Sequence, residues 1–362
     1  METFKAIGIM SGTSLDGLDL AYCIFKHDKS DWSFDLLHAK TVTYPNELVN
    51  KLSTANQLSG LGLKKLDIEL GGFIGNQTSL FISALKLSPD IIASHGHTIY
   101  HQPQIGLTHQ IGDGNLIYAK TGVPVVFDFR SLDLAHGGDG APLVPIGDKL
   151  LFSDFDACLN LGGIANLSFD DETGLRRAFD IVPVNMVLNH LSKQLGEAYD
   201  DKGIIARKGK LNPVLLDQWN KLDYYHQPYP KSLGYEWFEK HLLPTLKDSS
   251  LEDLMYSYCI HAAEQIENAV SSNLTIESPK RVLVTGGGAY NDFLMECLNE
   301  KAGDHIIWIK PDPIIIEFKE ALIFGLLGVL RIRNDVNVLR SATGATQDSV
   351  GGILIGHLSN NR

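Results

Sequence analysis

Residues 6–19 read Ala6-Ile7-Gly8-Ile9-Met10-Ser11-Gly12-Thr13-Ser14-Leu15-Asp16-Gly17-Leu18-Asp19, a buried-strand pattern running straight into a turn rich in glycine, hydroxyls and carboxylates. Glycine lets a backbone approach an anion, Ser and Thr add donors, and Asp16 or Asp19 supplies hard oxygen ligands for a hydrated Mg2+. Two readings are open at this point: a phosphate-gripping hairpin, with Gly12, Thr13, Ser14, Leu15, Asp16, Gly17, Leu18 and Asp19 as its walls, or an ordinary hairpin turn.

Working outward, the hydrophobic period predicts strands at 4–10, 17–26 and 34–44, helices at 45–58 and 61–85, a strand at 90–94, a helix at 113–121 and a strand at 123–129. The order then repeats. Strands at 156–161, 165–169 and 175–181 are followed by helices at 185–195 and 251–271, a strand at 281–285, a helix at 291–301, a strand at 305–309 and a helix at 317–332. This is an α/β chain duplicated in fold though not in sequence. It predicts two lobes, each a mixed five-stranded sheet flanked by helices, with a ligand cleft between them. The lobes are expected at 1–130 plus 340–362 and at 131–339. The Lys-, Tyr- and Pro-rich stretch 201–235 reads either as a cap over the cleft or as a surface excursion with a short helix at 213–222.

The chain has 362 residues and a formal net charge of -12. That field opposes a polynucleotide surface but not a single nucleotide held by local backbone N–H groups and a metal ion. Cys23, Cys158, Cys259 and Cys297 show no paired metal spacing and read as reduced thiols, so no disulfides are expected. No signal peptide or membrane-spanning apolar stretch is legible, which makes the cytosol the default and a membrane partner unexpected.

Three further segments carry chemistry. Asn160-Leu161-Gly162-Gly163-Ile164-Ala165-Asn166 occupies in the second repeat the place of the opening turn, so Gly162 and Gly163 are candidate phosphate contacts; a plain two-glycine hairpin is the other reading. Gly286, Gly287 and Gly288 follow a buried strand and precede a helix, where ligands tend to bind, and leave room for a flat base. Asp180 is either a carboxylate placed to activate water or a hydroxyl, or a cap for the following helix, where Pro183 and Asn185 also fit. At the junction of the repeats, Asp128 and Arg130 suit a sugar or carboxylate, or an inter-domain ion pair. His95 and His97, one residue apart with no third ligand nearby, read as hydrogen-bonding or structural histidines rather than a metal site.

Together these segments resemble the anhydro-N-acetylmuramic acid kinases, sugar kinases of the actin, hexokinase and Hsp70 superfamily with an RNase H-like fold. The resemblance runs through IGIMSGTSLDGLDLA at 7–21, SHGHTIYHQP at 94–103, QIGDGN at 110–115, TGVPVVFDFRSLDLAHGGDGAPLVP at 121–145, NLGGIANLS at 160–168, PKSLGYEWF at 230–238, VTGGGAYN at 284–291, EALIF at 320–324 and TGATQ at 343–347. It implies ATP and Mg2+ bound by 12–19 with help from Gly162, Gly163 and Gly286 to Gly288. It also implies phosphorylation of the 6-oxygen of 1,6-anhydro-N-acetylmuramic acid while water opens the anhydro ring, in cell-wall recycling.

The same resemblance implies that the aspartate of the motif Asp-Thr-Gly-Pro-Gly-Asn, the general base, falls on Asp180, with Glu320, His97, Asp128, Arg130 and Asn185 around the sugar, in a possible homodimer. The motif departs here: Ile181-Val182-Pro183-Val184 replaces both glycines by valine, which resists positive φ and fills space. That predicts either a different backbone path or a bulkier pocket wall. A non-enzymatic ATP-dependent switch of the Hsp70 or actin type and a degenerate sugar-binding paralogue are the competing readings.

Overall fold

The computed structural model describes residues 1–12, 15–275 and 279–358; the expected phosphate contacts Thr13 and Ser14 lie outside the described residues. Two compact units emerge, Met1–Leu151 with Phe318–Arg362, and Phe152–Glu317.

In the first unit, strands β1 (Glu2–Ser11), β2 (Leu18–Asp28) and β3 (Asp31–Val42) form an antiparallel meander, and β4 (Ile91–Gln102) joins β1 in parallel. β5 (Leu107–Ile111) hairpins back onto β4, while β6 (Val125–Phe127) pairs with β4 in parallel. The second unit repeats the scheme with β7 (Ala157–Leu161), β8 (Ile164–Asp170) and β9 (Arg176–Pro183) as the meander, β10 (Lys280–Thr285) parallel to β7, and β11 (Ile306–Ile309) parallel to β10. β12 (Ile353–Ile355) closes the chain against β6. The spatial orders β3-β2-β1-β4-β6 and β9-β8-β7-β10-β11 are the same, so the duplication is real.

The first sheet departs from the expected five strands: β5 and β12 bring it to seven. The domain boundaries expected at 130 and 340 also move. Residues 131–151 stay with the first unit because Asp133, fully buried, accepts from the Gly140 N–H at 2.8 Å and the Thr343 hydroxyl at 2.8 Å. A buried Lys319–Asp148 ion pair, 2.7 Å long, ties 318–339 to the same unit; a buried charge persists only when so paired.

Alternation explains the layers. Ile7 and Ile9 of β1 enter a core with Leu70 and Ile74 of the helix Gly60–Leu85, while Gly8, on the opposite face, meets the backbone of the helix Pro313–Arg333 at Ala321. In the second unit Leu159, Leu167 and Val182 pack with Tyr258 and Ala262 of the helix Leu251–Asn273. The stretch 201–235 carries a helix Pro213–Asn220 whose buried Trp219 lies 5.3 Å from the Tyr258 ring. All four cysteines are buried. No described helix is long and apolar enough to cross a membrane.

The same helix buries His261 completely. Its Nδ1 faces Asn220 Oδ1 at 2.7 Å, an oxygen that also accepts from Gln265, so Nδ1 carries the proton. Burial drops its pKa to about 3, against an ordinary value near 6.5. Between those values the unfolded chain binds the extra proton, so stability is present above pH 6.5 and is lost as pH falls toward 3. Denaturant titrations at pH 7, 5 and 4 should show a progressive loss, about 3 kcal/mol between pH 7 and pH 4. His261→Gln should flatten that dependence; an unchanged slope would remove His261 as its source.

Candidate active site

In the first unit the hairpin between β1 and β2 is held by the Leu15 N–H on the Gly12 carbonyl at 3.2 Å, with Leu15 at φ 61°. A Cβ on Gly17 would come within 2.6 Å of the Thr41 methyl and 2.9 Å of the Val42 carbonyl, so this glycine answers to β3. Asp16 is exposed. Asp19 accepts from the Thr41 hydroxyl at 2.6 Å, and Leu18 is buried in the core. No group of three or more His, Cys, Asp or Glu side chains forms a metal cage among the described residues, but two carboxylates on one turn suit a hydrated Mg2+, which keeps most of its waters.

β4 continues eight residues past the expected strand end at 94 and so carries both histidines. The Tyr44 hydroxyl donates to Ser11 Oγ at 2.7 Å, and Ser11 Oγ lies 2.9 Å from His97 Nδ1. The chain of donors leaves Nδ1 as acceptor and the proton on Nε2. His95 is fixed the other way round: its Nδ1–H donates to the Gly96 carbonyl at 2.9 Å, and Nε2 accepts from Arg130 Nε at 3.1 Å. Burial and the neighbouring guanidinium hold its pKa well below the ordinary value. Arg130 also donates to the Gly140 carbonyl at 2.7 Å and lies within electrostatic reach of Glu320, whose side chain is exposed. Arg130, His95 and Glu320 thus come together. Asp128 does not join them: at φ 53° it accepts from the Ser131 N–H and hydroxyl, in the turn ahead of a short helix.

In the second unit the two glycine turns and Asn185 converge. Asn185 Nδ2 donates to the Leu161 carbonyl at 3.1 Å, and the N–H groups of Val184, Asn185 and Met186 donate to the Gly162 and Gly163 carbonyls. Gly286, at φ 82°, would place a Cβ 2.5 Å from Asn160 Oδ1 and 2.8 Å from the Leu161 backbone. Gly288 is crowded by Leu161 in the same way, whereas a Cβ on Gly163 would meet nothing and one on Gly287 only Asn185, at 3.7 Å. The cluster is a bare-backbone cradle, crowded behind and open at Gly163 and Gly287, which fits a nucleotide phosphate or base.

Asp180 sits inside β9, not at its end, beside a bulge opposite Ala165 and Asn166. It caps nothing: the helix Asn185–Gln194 starts at Val184 with no side-chain cap. Its Oδ2 accepts from the Leu233 N–H at 2.9 Å. Burial pushes its pKa up, the Leu233 hydrogen bond partly opposing. Val182 and Val184 are fully buried in the core, both at ordinary negative or extended φ. The backbone has accommodated them by turning both side chains into the protein.

Sequence reasoning missed Tyr44, Ser11 and Asp133 as supports and missed the contacts of Tyr224, Lys231 and Leu233 to Asp180. The stretch 230–238 carried the only signal, and it named no role. A cavity of about 530 Å3 opens beside that segment, lined in part by Tyr224, Lys231, Ser232 and Trp237.

The twice-repeated sheet order, each meander carrying a glycine-containing turn between its first two strands, defines a duplicated α/β protein. The family model for anhydro-N-acetylmuramic acid kinase matches residues 4–356. An anhydro-N-acetylmuramic acid kinase of Haemophilus influenzae is 34% identical over 366 residues, covering 94% of each chain, and one of Francisella tularensis subsp. novicida is 34% identical over 369 residues, covering 95% of this chain and 97% of its own. Component A of the (R)-2-hydroxyglutaryl-CoA dehydratase of Acidaminococcus fermentans aligns over 90% of this chain and 97% of its own with a TM-score of 0.47 at 10% identity. The chain belongs to the anhydro-N-acetylmuramic acid kinase family.

Proposed function

We propose that this protein is a cytoplasmic, homodimeric sugar kinase that converts 1,6-anhydro-N-acetylmuramic acid and ATP to N-acetylmuramic acid 6-phosphate and ADP. The observation that carries the chemistry is Asp180: a half-buried carboxylate with raised pKa, one oxygen tied to a backbone N–H. A raised pKa makes the carboxylate a stronger base. Asp180 takes a proton from water as that oxygen attacks carbon 1. The bond from carbon 1 to the bridging oxygen breaks, and the freed 6-oxygen takes the γ-phosphoryl group of ATP.

The cradle of Gly162, Gly163 and Gly286 to Gly288 binds the nucleotide, with Asn185 bracing its floor. The hairpin Gly12 to Asp19 contributes phosphate contacts, and Asp16 and Asp19 would hold Mg2+, which when bound would supply neutralising charge for the phosphates. His97, presenting an Nε2–H donor, and Arg130 and Glu320 recognise the sugar; Asp128 supports them by ending β6 in a turn.

The test is direct. Protein, magnesium ATP and the anhydro sugar are incubated in 18O-labelled water, and the products are weighed by mass spectrometry. One 18O in the sugar and none in the phosphoryl group is the expected outcome. Sugar-independent ATP hydrolysis, or bound but unaltered sugar, would replace the reading with the switch or the degenerate paralogue.

A further inference from the structure

β9 is the edge strand of its sheet, and an edge strand leaves every second residue with N–H and C=O turned away from the sheet. At Asp180 those outward groups are taken by one segment, 224–233. The Asp180 N–H donates to the Lys231 carbonyl at 3.2 Å, and the Tyr224 hydroxyl donates to the Asp180 carbonyl at 2.6 Å. The Leu233 N–H then reaches the side chain itself, at Oδ2. The segment is stiffened by Lys231 Nζ, which donates to the Tyr224 carbonyl at 3.1 Å and lies 4.7 Å from the centre of the Tyr224 ring. Three bonds from ten residues of chain therefore converge on one aspartate, and no hydrogen bond from the described residues is recorded at its Oδ1.

Resting on the reading of Asp180 as the base, we propose that the strap 224–233 is a positioning device for the reaction. Leu233 ties down Oδ2 and leaves Oδ1 as the proton acceptor, while Tyr224 and Lys231 fix the backbone that carries it. Tyr224, Lys231 and Leu233 are positioning residues: they act on the reacting atoms only through Asp180. The titratable group facing Asp180 from the strap is the Tyr224 hydroxyl; from β8 the register partner is Asn166, which does not titrate.

The experiment compares Leu233→Pro, which removes the N–H, with Leu233→Ala, which keeps it. An N–H on a carboxylate favours its charged form, so removing it raises the pKa. The acid limb of kcat against pH should move upward by about one pH unit in Leu233→Pro, with a fall in kcat of about tenfold and the KM for ATP within about twofold. Leu233→Ala should follow the parent profile. Matching profiles for the two variants would overturn the proposal. Should Leu233→Pro fail to fold, Tyr224→Phe decides alone: it keeps the ring and loses the hydroxyl, and an unchanged kcat would overturn the proposal, whereas a drop of about tenfold at constant ATP KM supports it. The reading of Asp180 fails separately, through its own substitution.

Discussion

Asp180→Asn lowers turnover by about a hundredfold to ten-thousandfold while ATP still binds, since that is the range a positioned general base contributes. In activation free energy this is roughly 3 to 5.5 kcal/mol. Asparagine is close to isosteric, and its amide oxygen can still accept from the Leu233 N–H that holds Oδ2, so the strap and the fold survive the change. What is lost is an oxygen able to take a proton. The nucleotide cradle is assembled from backbone at Gly162, Gly163 and Gly286 to Gly288 with Asn185, none of which the substitution touches. Calorimetric titration with ATP alongside steady-state kinetics checks both halves; a loss of less than about threefold would be too small for a base and would sink the assignment.

Gly8→Ala should destabilise the first unit by about 3 kcal/mol or more, beyond the usual cost of overpacking a core. A Cβ there would lie 1.7 Å from the Ala321 carbonyl oxygen and 2.6 Å from the Gly325 nitrogen. Both are backbone atoms of the helix Pro313–Arg333, so no side chain can swing aside and the helix must move bodily. For a unit of this size the loss corresponds to a fall in melting temperature of about 10 °C. Gly72→Ala is the control: it sits in the helix Gly60–Leu85 with nothing within 4 Å of the new methyl, and should be neutral or gain up to about 1 kcal/mol from helix propensity. Equal melting temperatures for the two variants would show that the close approach is not tight. Glu320 precedes Ala321 on that helix, so Gly8→Ala should also disturb the site at Glu320.

The repeating architecture could be read from period alone because β1, β2, β7 and β10 are long apolar runs and the helices Gly60–Leu85 and Leu251–Asn273 are long enough for a 3.6-residue pattern to stand out. β12 has three residues and β5 reads Leu-Thr-His-Gln-Ile, too short or too polar to register as strands, and β12 depends on β6, a partner distant in the chain. The far end of β4 was hidden because His-Thr-Ile-Tyr-His-Gln is as polar as β5, the next strand in the chain, with which it forms a hairpin.

At the site, residue types and glycine turns were legible, since their chemistry is local. Their supports were not. Leu233 is 53 residues from Asp180 and Thr343 is 210 from Asp133, and nothing in either neighbourhood announces the other. Asp128 lies in a local turn that its place after a strand did not announce: its Oδ1 accepts from the Ser131 N–H and hydroxyl.

Val182 and Val184 are sealed inside the second unit, where Tyr258 also donates to the Pro183 carbonyl at 2.8 Å. Trading either for glycine would hollow out that interior, at a cost that grows with the void left behind. Writing glycine at either position is therefore expected to loosen the interior beneath Asp180 before it reshapes anything the carboxylate faces.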